Sequence, residues 1–260
     1  GLAHTKLTRC RVATLVPSTS AGTMQTPPLA APHPRPATAL LLAAGRGERM
    51  RPLTDNTPKP LLRVQGKPLM QWPMEALAQG GVSSLIINTD WLGTQISDFF
   101  GDSFQAAKAV APLQLRYSEE GRDFGGALET AGGIVRALPW LDQVFWVAAG
   151  DVFAPDFEFA PQALARFQDS PQLAHLWLVP NPEHNLGGDF GLSPQGLALN
   201  LPKLNAPATG AEPPRYTFST IALYKRAFFD APWCDIAPGN PAGVKAPLAA
   251  MLRAAMDQAA

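Results

Sequence analysis

Residues Leu40–Leu61, LLLAAGRGERMRPLTDNTPKPL, begin as an apolar run and turn abruptly into a loop dense in charge, glycine and proline. The run TALLLA (38–43) shows no polar alternation, as expected for a strand buried on both faces. Just past it, Arg46, Arg49, Arg51, Lys59 and Arg63 crowd around Gly45 and Gly47, opposed only by Glu48 and Asp55. In an open parallel sheet, ligands bind at the carboxyl ends of the strands, so a loop leaving such a strand is well placed to hold one. The glycines let the backbone approach a ligand and turn its N–H groups toward phosphate oxygens. Arg49 offers a planar fork of donors, and Lys59 a point charge on a segment stiffened by Pro58 and Pro60. A solvated basic loop with no ligand is the plain alternative. Two familiar phosphate motifs are excluded: GxGxxG would need glycine where Met50 stands, and no GxxxxGK[ST] run exists.

Working outward, the chain alternates short apolar runs with helical patterns. SLIIN (84–88), LQLRY (113–117), QVFWVAAGD (143–151), LAHLWLVP (173–180), GGDFGLS and RYTFSTIALYK read as strands. Helices are expected around 92–100, 128–138, 161–169 and 245–259. In KPLMQWPMEALAQGG, Pro68 suits a first helical turn and Gly80-Gly81 a stop, while Pro73 requires a kink or a late start. This order predicts an α/β fold of three layers, αβα, with a mainly parallel central sheet.

The 260 residues suffice for one large α/β domain or two small ones, and 21 basic against 21 acidic side chains leave no global field to attract nucleic acid or a membrane surface. Cys10 and Cys234 lie far apart, which argues against a disulfide framework and for a reducing, cytoplasmic setting. No apolar run approaches the roughly 18 residues needed to span a bilayer. His4, His33, His175 and His184 are scattered without metal-ligand spacing, and ordinary core or surface roles are expected. Residues 1–37 are proline-rich, basic and free of acid, and read as a disordered extension or, less simply, an organelle transit peptide. Met24 raises the alternative that residues 1–23 are an over-extended translation. The domain proper is expected over 38–260.

LAAGRGERMRPLTDNTPKPLLRV (42–64) resembles the N-terminal motif LAAGxGxRxxPxTxxxPKPxxPV of sugar-1-phosphate nucleotidyltransferases. It matches at Leu42, Ala43, Ala44, Gly45, Gly47, Arg49, Pro52, Thr54, Pro58, Lys59, Pro60 and Val64. The resemblance implies a Rossmann-like nucleotidyltransferase fold. It also implies that residues 42–47 hold the nucleoside triphosphate, that Arg49 stabilises the leaving pyrophosphate, and that Lys59 holds phosphate oxygens at the reacting centre. Asp151 in FWVAAGDVF resembles the family's metal-binding acid, which implies Mg²⁺; a turn cap is the ordinary role for an acid there. ALETAGGIVRAL (127–138) resembles LxTAGGI, implying that Thr130 and Gly132 pack against ribose and base.

INTDWLGTQI (87–96) and GGDFGL (187–192) are similar to segments of the subgroup acting on N-acetylmuramate 1-phosphate. They imply that Asn88 faces the base and that Asp189 contacts sugar hydroxyls, a strand-edge turn being the alternative for Asp189. Lys203 is more simply a loop lysine than a phosphate contact. The implied substrates are an NTP, chiefly UTP, and a sugar 1-phosphate, chiefly N-acetylmuramate 1-phosphate. A mannose 1-phosphate guanylyltransferase and a weakly catalytic nucleotide-sugar sensor are the alternatives, and the oligomeric state is left open. The subgroup carries a further segment like WxDVGT, whose aspartate joins the metal; none follows residue 258 here, so a C-terminal truncation or a deliberate loss is expected.

Overall fold

The computed structural model describes the backbone of residues 11–15 and all of residues 37–202 and 213–258; Cys10, His4, His33, Met24 and Lys203 lie outside them. Along the chain come β1 (Arg11–Leu15), β2 (Ala37–Leu42), the basic loop with short 3-10 turns at Glu48–Met50 and Lys59–Leu61, and a small hairpin of β3 (Arg63–Val64) and β4 (Lys67–Pro68). Then follow α1 (Gln71–Gln79), β5 (Val82–Thr89), α2 (Gly93–Phe100), β6 (Ser103–Phe104), β7 (Leu113–Glu119), α3 (Glu120–Phe124), α4 (Glu129–Ala137) and β8 (Val144–Ala149). The remaining elements are α5 (Pro161–Gln168), β9 (Ala174–Val179), β10 (Phe190–Leu192), β11 (Ala198–Leu199), β12 (Arg215–Lys225) and α6 (Leu248–Gln258).

The main sheet runs β1-β9-β12-β8-β2-β5-β7-β6, with β10 and β11 attached beside β12. Its centre, β8-β2-β5-β7, is parallel, while β12 runs antiparallel between β8 and β9. Side chains of successive strand residues point to opposite faces, and β2 shows the consequence. Leu40 packs with α4 and α6 on one side, whereas Ala39 and Leu41 pack with α1, α2 and α5 on the other. Both faces are dry, so β2 can be apolar throughout. Each fully buried leucine of this kind contributes about 1.5–3 kcal/mol. The three-layer Rossmann-like architecture expected from the sequence is the one found.

Two local readings are corrected. Pro68 belongs to β4, and α1 begins only at Gln71, which leaves Pro73 in the first turn where a missing N–H breaks no intrahelical bond. Residues 11–15, inside the stretch read as disordered, pair antiparallel with β9 and close that edge of the sheet. The alternating, β-branched RVATL suits a strand, but its partner lies far along the chain and sequence-local composition concealed it. His175, between the rings of Phe167 and Trp177, is a core histidine whose pKa burial lowers to about 4.

α4 is fastened to the segment before α6. The N–H groups of Ala131 and Gly132 donate to the carbonyl of Ala246 at 2.9 and 3.2 Å, and Asn240 donates from its amide to the carbonyl of Gly132 at 3.1 Å. A Cβ on Gly132 would lie 2.4 Å from the Val244 carbonyl oxygen. Gly132→Ala should therefore lower the melting temperature, although alanine is favoured over glycine in a helix by about 1 kcal/mol. Tyr224 presents the opposite case. Its ring stacks on Phe228, but its buried hydroxyl has no hydrogen-bond partner among the described residues. Tyr224→Phe should raise stability by about 1 kcal/mol in chemical denaturation, because an unsatisfied buried hydroxyl is a net cost.

Candidate active site

β2 is the switch point of the sheet: the chain steps from it to β5 and β7 on one side and returns to β8 on the other. The loops leaving β2, β5 and β8 all emerge at the same edge, where such sheets bind ligands. A cleft of about 560 Å³ opens there.

The basic loop forms its near wall. Gly47 has φ of 69°, a left-handed conformation open to glycine, and a Cβ there would meet side-chain carbons of Thr54 and Lys59, both at 3.0 Å. The loop thus folds back until Lys59 lies against Gly47. The Thr54 hydroxyl donates to the Gly47 carbonyl at 3.0 Å, the Trp91 indole donates to the Thr54 carbonyl at 3.0 Å, and the Arg46 guanidinium lies 3.5 Å over the Trp91 ring. Arg51 is paired with Asp55 at 2.6 Å. Arg49 is exposed at the cleft and its guanidinium has no protein partner among the described residues.

Asp151 arrives from β8. Just before it, the Gly150 N–H donates to the Leu42 carbonyl at 2.8 Å, which ties the end of β8 to the end of β2. The Lys59 ammonium reaches the Asp151 carboxylate at 2.5 Å, across a sequence separation of 92 residues. Among the described residues, no three acidic, histidine or cysteine side chains cluster as a metal cage. Asp151, at the cleft wall beside Lys59, could hold an ion bound mainly by substrate oxygens and water.

The far wall comes from β5, α3 and α4. Asn88, at the cleft, accepts from the Ala43 N–H at 2.7 Å and donates to Glu120 at 2.8 Å. Glu120 also accepts from the Leu128 N–H at 2.8 Å. Burial raises the Glu120 pKa, against the lowering effect of these two hydrogen bonds and of nearby Arg136. Two cleft residues have left-handed backbones without being glycine: Glu129 with φ of 59° and Thr220 with φ of 63°. Thr220 lies where the pairing of β12 shifts register between Phe218 and Ala222, an irregularity of the kind that re-aims a side chain beside a site.

Leu42, Ala43, Ala44, Gly45, Gly47, Arg49, Lys59, Asn88, Thr130 and Asp151, all singled out in the sequence, line this one cleft. Gly132 does not; it is occupied with the 244–246 segment. Asp189 does not either: its carboxylate accepts from the Phe218 N–H at 2.8 Å and from Asn185 at 3.1 Å, which makes it the holder of a strand-edge turn. Sequence reasoning missed Glu120, Glu129 and Thr220. Glu120 was not singled out in the sequence, and only its tertiary burial distinguishes it. A non-glycine residue in a left-handed turn leaves no mark in a single sequence.

Comparison with known proteins agrees with this geometry. The sequence model of the family described as nucleotidyl transferase matches residues 38–192. An N-acetylmuramate alpha-1-phosphate uridylyltransferase of Neisseria meningitidis is 45% identical over 226 residues, covering 85% of each chain. The protein of that name from Caulobacter vibrioides is 30% identical, over 78% of this chain and 89% of its own. The fold matches a crystal structure of UDP-glucose pyrophosphorylase complexed with UDP-glucose, with a TM-score of 0.55 over 75% of this chain and 78% of that one at 17% identity. With its glycine loop, Lys59 and Asp151 gathered at the switch point of this sheet, the chain belongs to the nucleotidyl transferase family and is a nucleotidyltransferase.

Proposed function

We propose that the protein transfers a uridylyl group from UTP to N-acetylmuramate 1-phosphate, giving the UDP-sugar and pyrophosphate. The observation that carries the reaction type is the meeting of Lys59 and Asp151 beside the glycine loop, with Arg49 on the same wall and without a partner among the described residues. The choice of substrates is supported by the two relatives that bear this name and align over most of their length. Both substrates are metabolites of the cytoplasm, where we place the protein; no described helix is long and apolar enough to cross a membrane.

In this reading a phosphate oxygen of the sugar 1-phosphate attacks the α-phosphorus of UTP. The new P–O bond forms as the bond to the bridging α–β oxygen breaks, and the electron pair leaves with pyrophosphate. Catalysis then rests on positioning and on positive charge where negative charge develops. Backbone N–H groups of the Gly45–Gly47 turn cradle the phosphates, Arg49 stabilises the departing pyrophosphate, and Lys59 turns from Asp151 to the reacting phosphate oxygens. Asn88 and Thr130 lie on the side taken by uridine, and Thr220 on the side of β12 left for the sugar. The family generally uses a divalent metal ion; Asp151 would hold Mg²⁺ together with substrate phosphates, and the ion, when bound, supplies charge neutralisation.

The deciding experiment offers UTP, GTP, CTP and dTTP with N-acetylmuramate 1-phosphate or mannose 1-phosphate and measures pyrophosphate release. Fastest turnover is expected with UTP and N-acetylmuramate 1-phosphate. Preference for GTP with mannose 1-phosphate would replace this reading by a guanylyltransferase, and tight nucleotide binding without release would make the protein a sensor.

Arg49→Ala and Lys59→Ala should each lower kcat/KM by about two orders of magnitude or more, since one donor to developing charge is worth about 2.7–4 kcal/mol. Melting temperatures should hardly move, because both side chains lie at the cleft and not in the core. For Asp151→Asn, the Mg²⁺ concentration giving half-maximal rate should rise. Calorimetric binding of UTP without metal should be no weaker in that variant, because Lys59 loses the carboxylate that competes for it.

A further inference from the structure

Asn88, the last residue but one of β5, is almost wholly buried, 3% exposed, and its amide has a fixed sense. The oxygen receives the Ala43 N–H at 2.7 Å, and the nitrogen donates to Glu120 at 2.8 Å. A backbone N–H only donates and an ionised carboxylate only accepts. Turning the amide over would set N–H against N–H at Ala43 and oxygen against oxygen at Glu120. The second carboxylate oxygen of Glu120 is held by the Leu128 N–H at 2.8 Å, so Glu120 cannot easily swing away. Gly133 belongs to the same device: a Cβ there would lie 2.6 Å from the Glu120 carboxylate and 2.9 Å from the Asn88 amide nitrogen. Glu120 is fully buried, and burial raises its pKa; the N–H donors of Leu128 and Asn88, one on each carboxylate oxygen, and nearby Arg136 oppose this and favour the charged form. A buried carboxylate is retained at a cost in desolvation, and here both its oxygens serve to hold neighbouring groups.

An amide has two N–H donors and two acceptor lone pairs. In Asn88 one of each is engaged by the protein, which leaves one donor and one acceptor for a ligand at the cleft. Uracil presents an N–H donor at N3 beside carbonyl acceptors. Cytosine in the same seat presents an acceptor at N3 beside an amino donor. To a side-chain amide fixed in one sense these edges are opposites, whereas an amide able to turn over reads either.

We propose that Glu120 is a positioning residue for nucleobase selection, locking the Asn88 amide in the sense that accepts uracil and rejects cytosine. The inference rests on the uridylyl reading given above and adds to it the source of base discrimination. Glu120→Gln keeps the shape of the side chain but supplies one oxygen and one NH₂ group where two acceptors are required. Either Leu128 or Asn88 then meets a donor; in the second case the Asn88 amide keeps only the Ala43 N–H to set its sense.

The test compares kcat/KM for UTP and CTP with the same sugar 1-phosphate. In Glu120→Gln the UTP-over-CTP ratio should fall at least tenfold, through a higher KM for UTP, with kcat and the KM for the sugar 1-phosphate little changed. Asn88→Ser, which leaves Glu120 bonded to Leu128, should lower the ratio as far, and adding Glu120→Gln to it should lower it no further, because Glu120 acts through Asn88. Asn88→Ser also decides the matter if Glu120→Gln does not fold: retained selectivity in it overturns the proposal. Equal losses for UTP and CTP in Glu120→Gln, or a further loss of selectivity in the double variant, overturn it as well. A wild-type enzyme without preference for UTP over CTP overturns the uridylyl reading itself, and the lock with it; that result is read before any variant is made.

Discussion

Everything at the cleft depends on β2 being paired in parallel on both of its edges. Leu40 lies opposite Ile86 of β5 and Val147 of β8, and this double register places the ends of three strands level with one another. The Leu42 carbonyl then takes the Gly150 N–H, so the last rung of the ladder is also the first fastening of the site. A slip of one residue in either pairing would turn every side chain of β2 to the wrong core and carry Asp151 out of reach of Lys59. Because both faces of β2 are buried, such a slip exposes the apolar groups of neither layer to a compatible partner, and the register is strongly specified.

Much of this was legible in the sequence, for reasons that differ by element. TALLLA and QVFWVAAGD are recognisable because a strand covered on both faces has no need of polar positions. The loop between Gly45 and Lys59 is recognisable because glycine, proline and clustered cations each answer a separate physical demand of phosphate binding. The antiparallel insertion of β12 between β8 and β9 was not legible, since pairing between distant strands is decided by tertiary packing. Gly132 looked like a ligand contact within a glycine pair, and only the carbonyl of Val244 standing over it reveals a packing role. For Asp189 the sequence left a sugar contact and a strand-edge turn both open, and its carboxylate is consumed by the turn.

Two of the five non-glycine residues with left-handed backbones among the described residues line the cleft. Glu129 begins α4 and Thr220 interrupts β12, both in left-handed conformations that cost of order 1–3 kcal/mol each for a residue with a side chain. Glu129 comes to the cleft from a helix and Thr220 from the sheet. The well-packed cores on both faces of the sheet supply the stability that keeps them so. Ser219 secures the second of these, donating to the Trp177 carbonyl at 2.7 Å and accepting from the Ile221 N–H at 3.2 Å, so the irregularity is held from both sides.

The pairing of Lys59 with Asp151 changes how the positive loop acts at a distance. Around the cleft stand Arg46, Arg49 and Lys59, but also Glu48, Glu120, Glu129 and Asp151. The cations that crowd the sequence are therefore matched, in space, by at least as many acids. Such a cleft casts little net field beyond a Debye length of roughly 8–10 Å. It does not draw polyanions in from solution as a uniformly basic groove would. Its encounter rate with a triphosphate should accordingly be modest and only weakly dependent on ionic strength. Discrimination among ligands is left to groups that act only on contact.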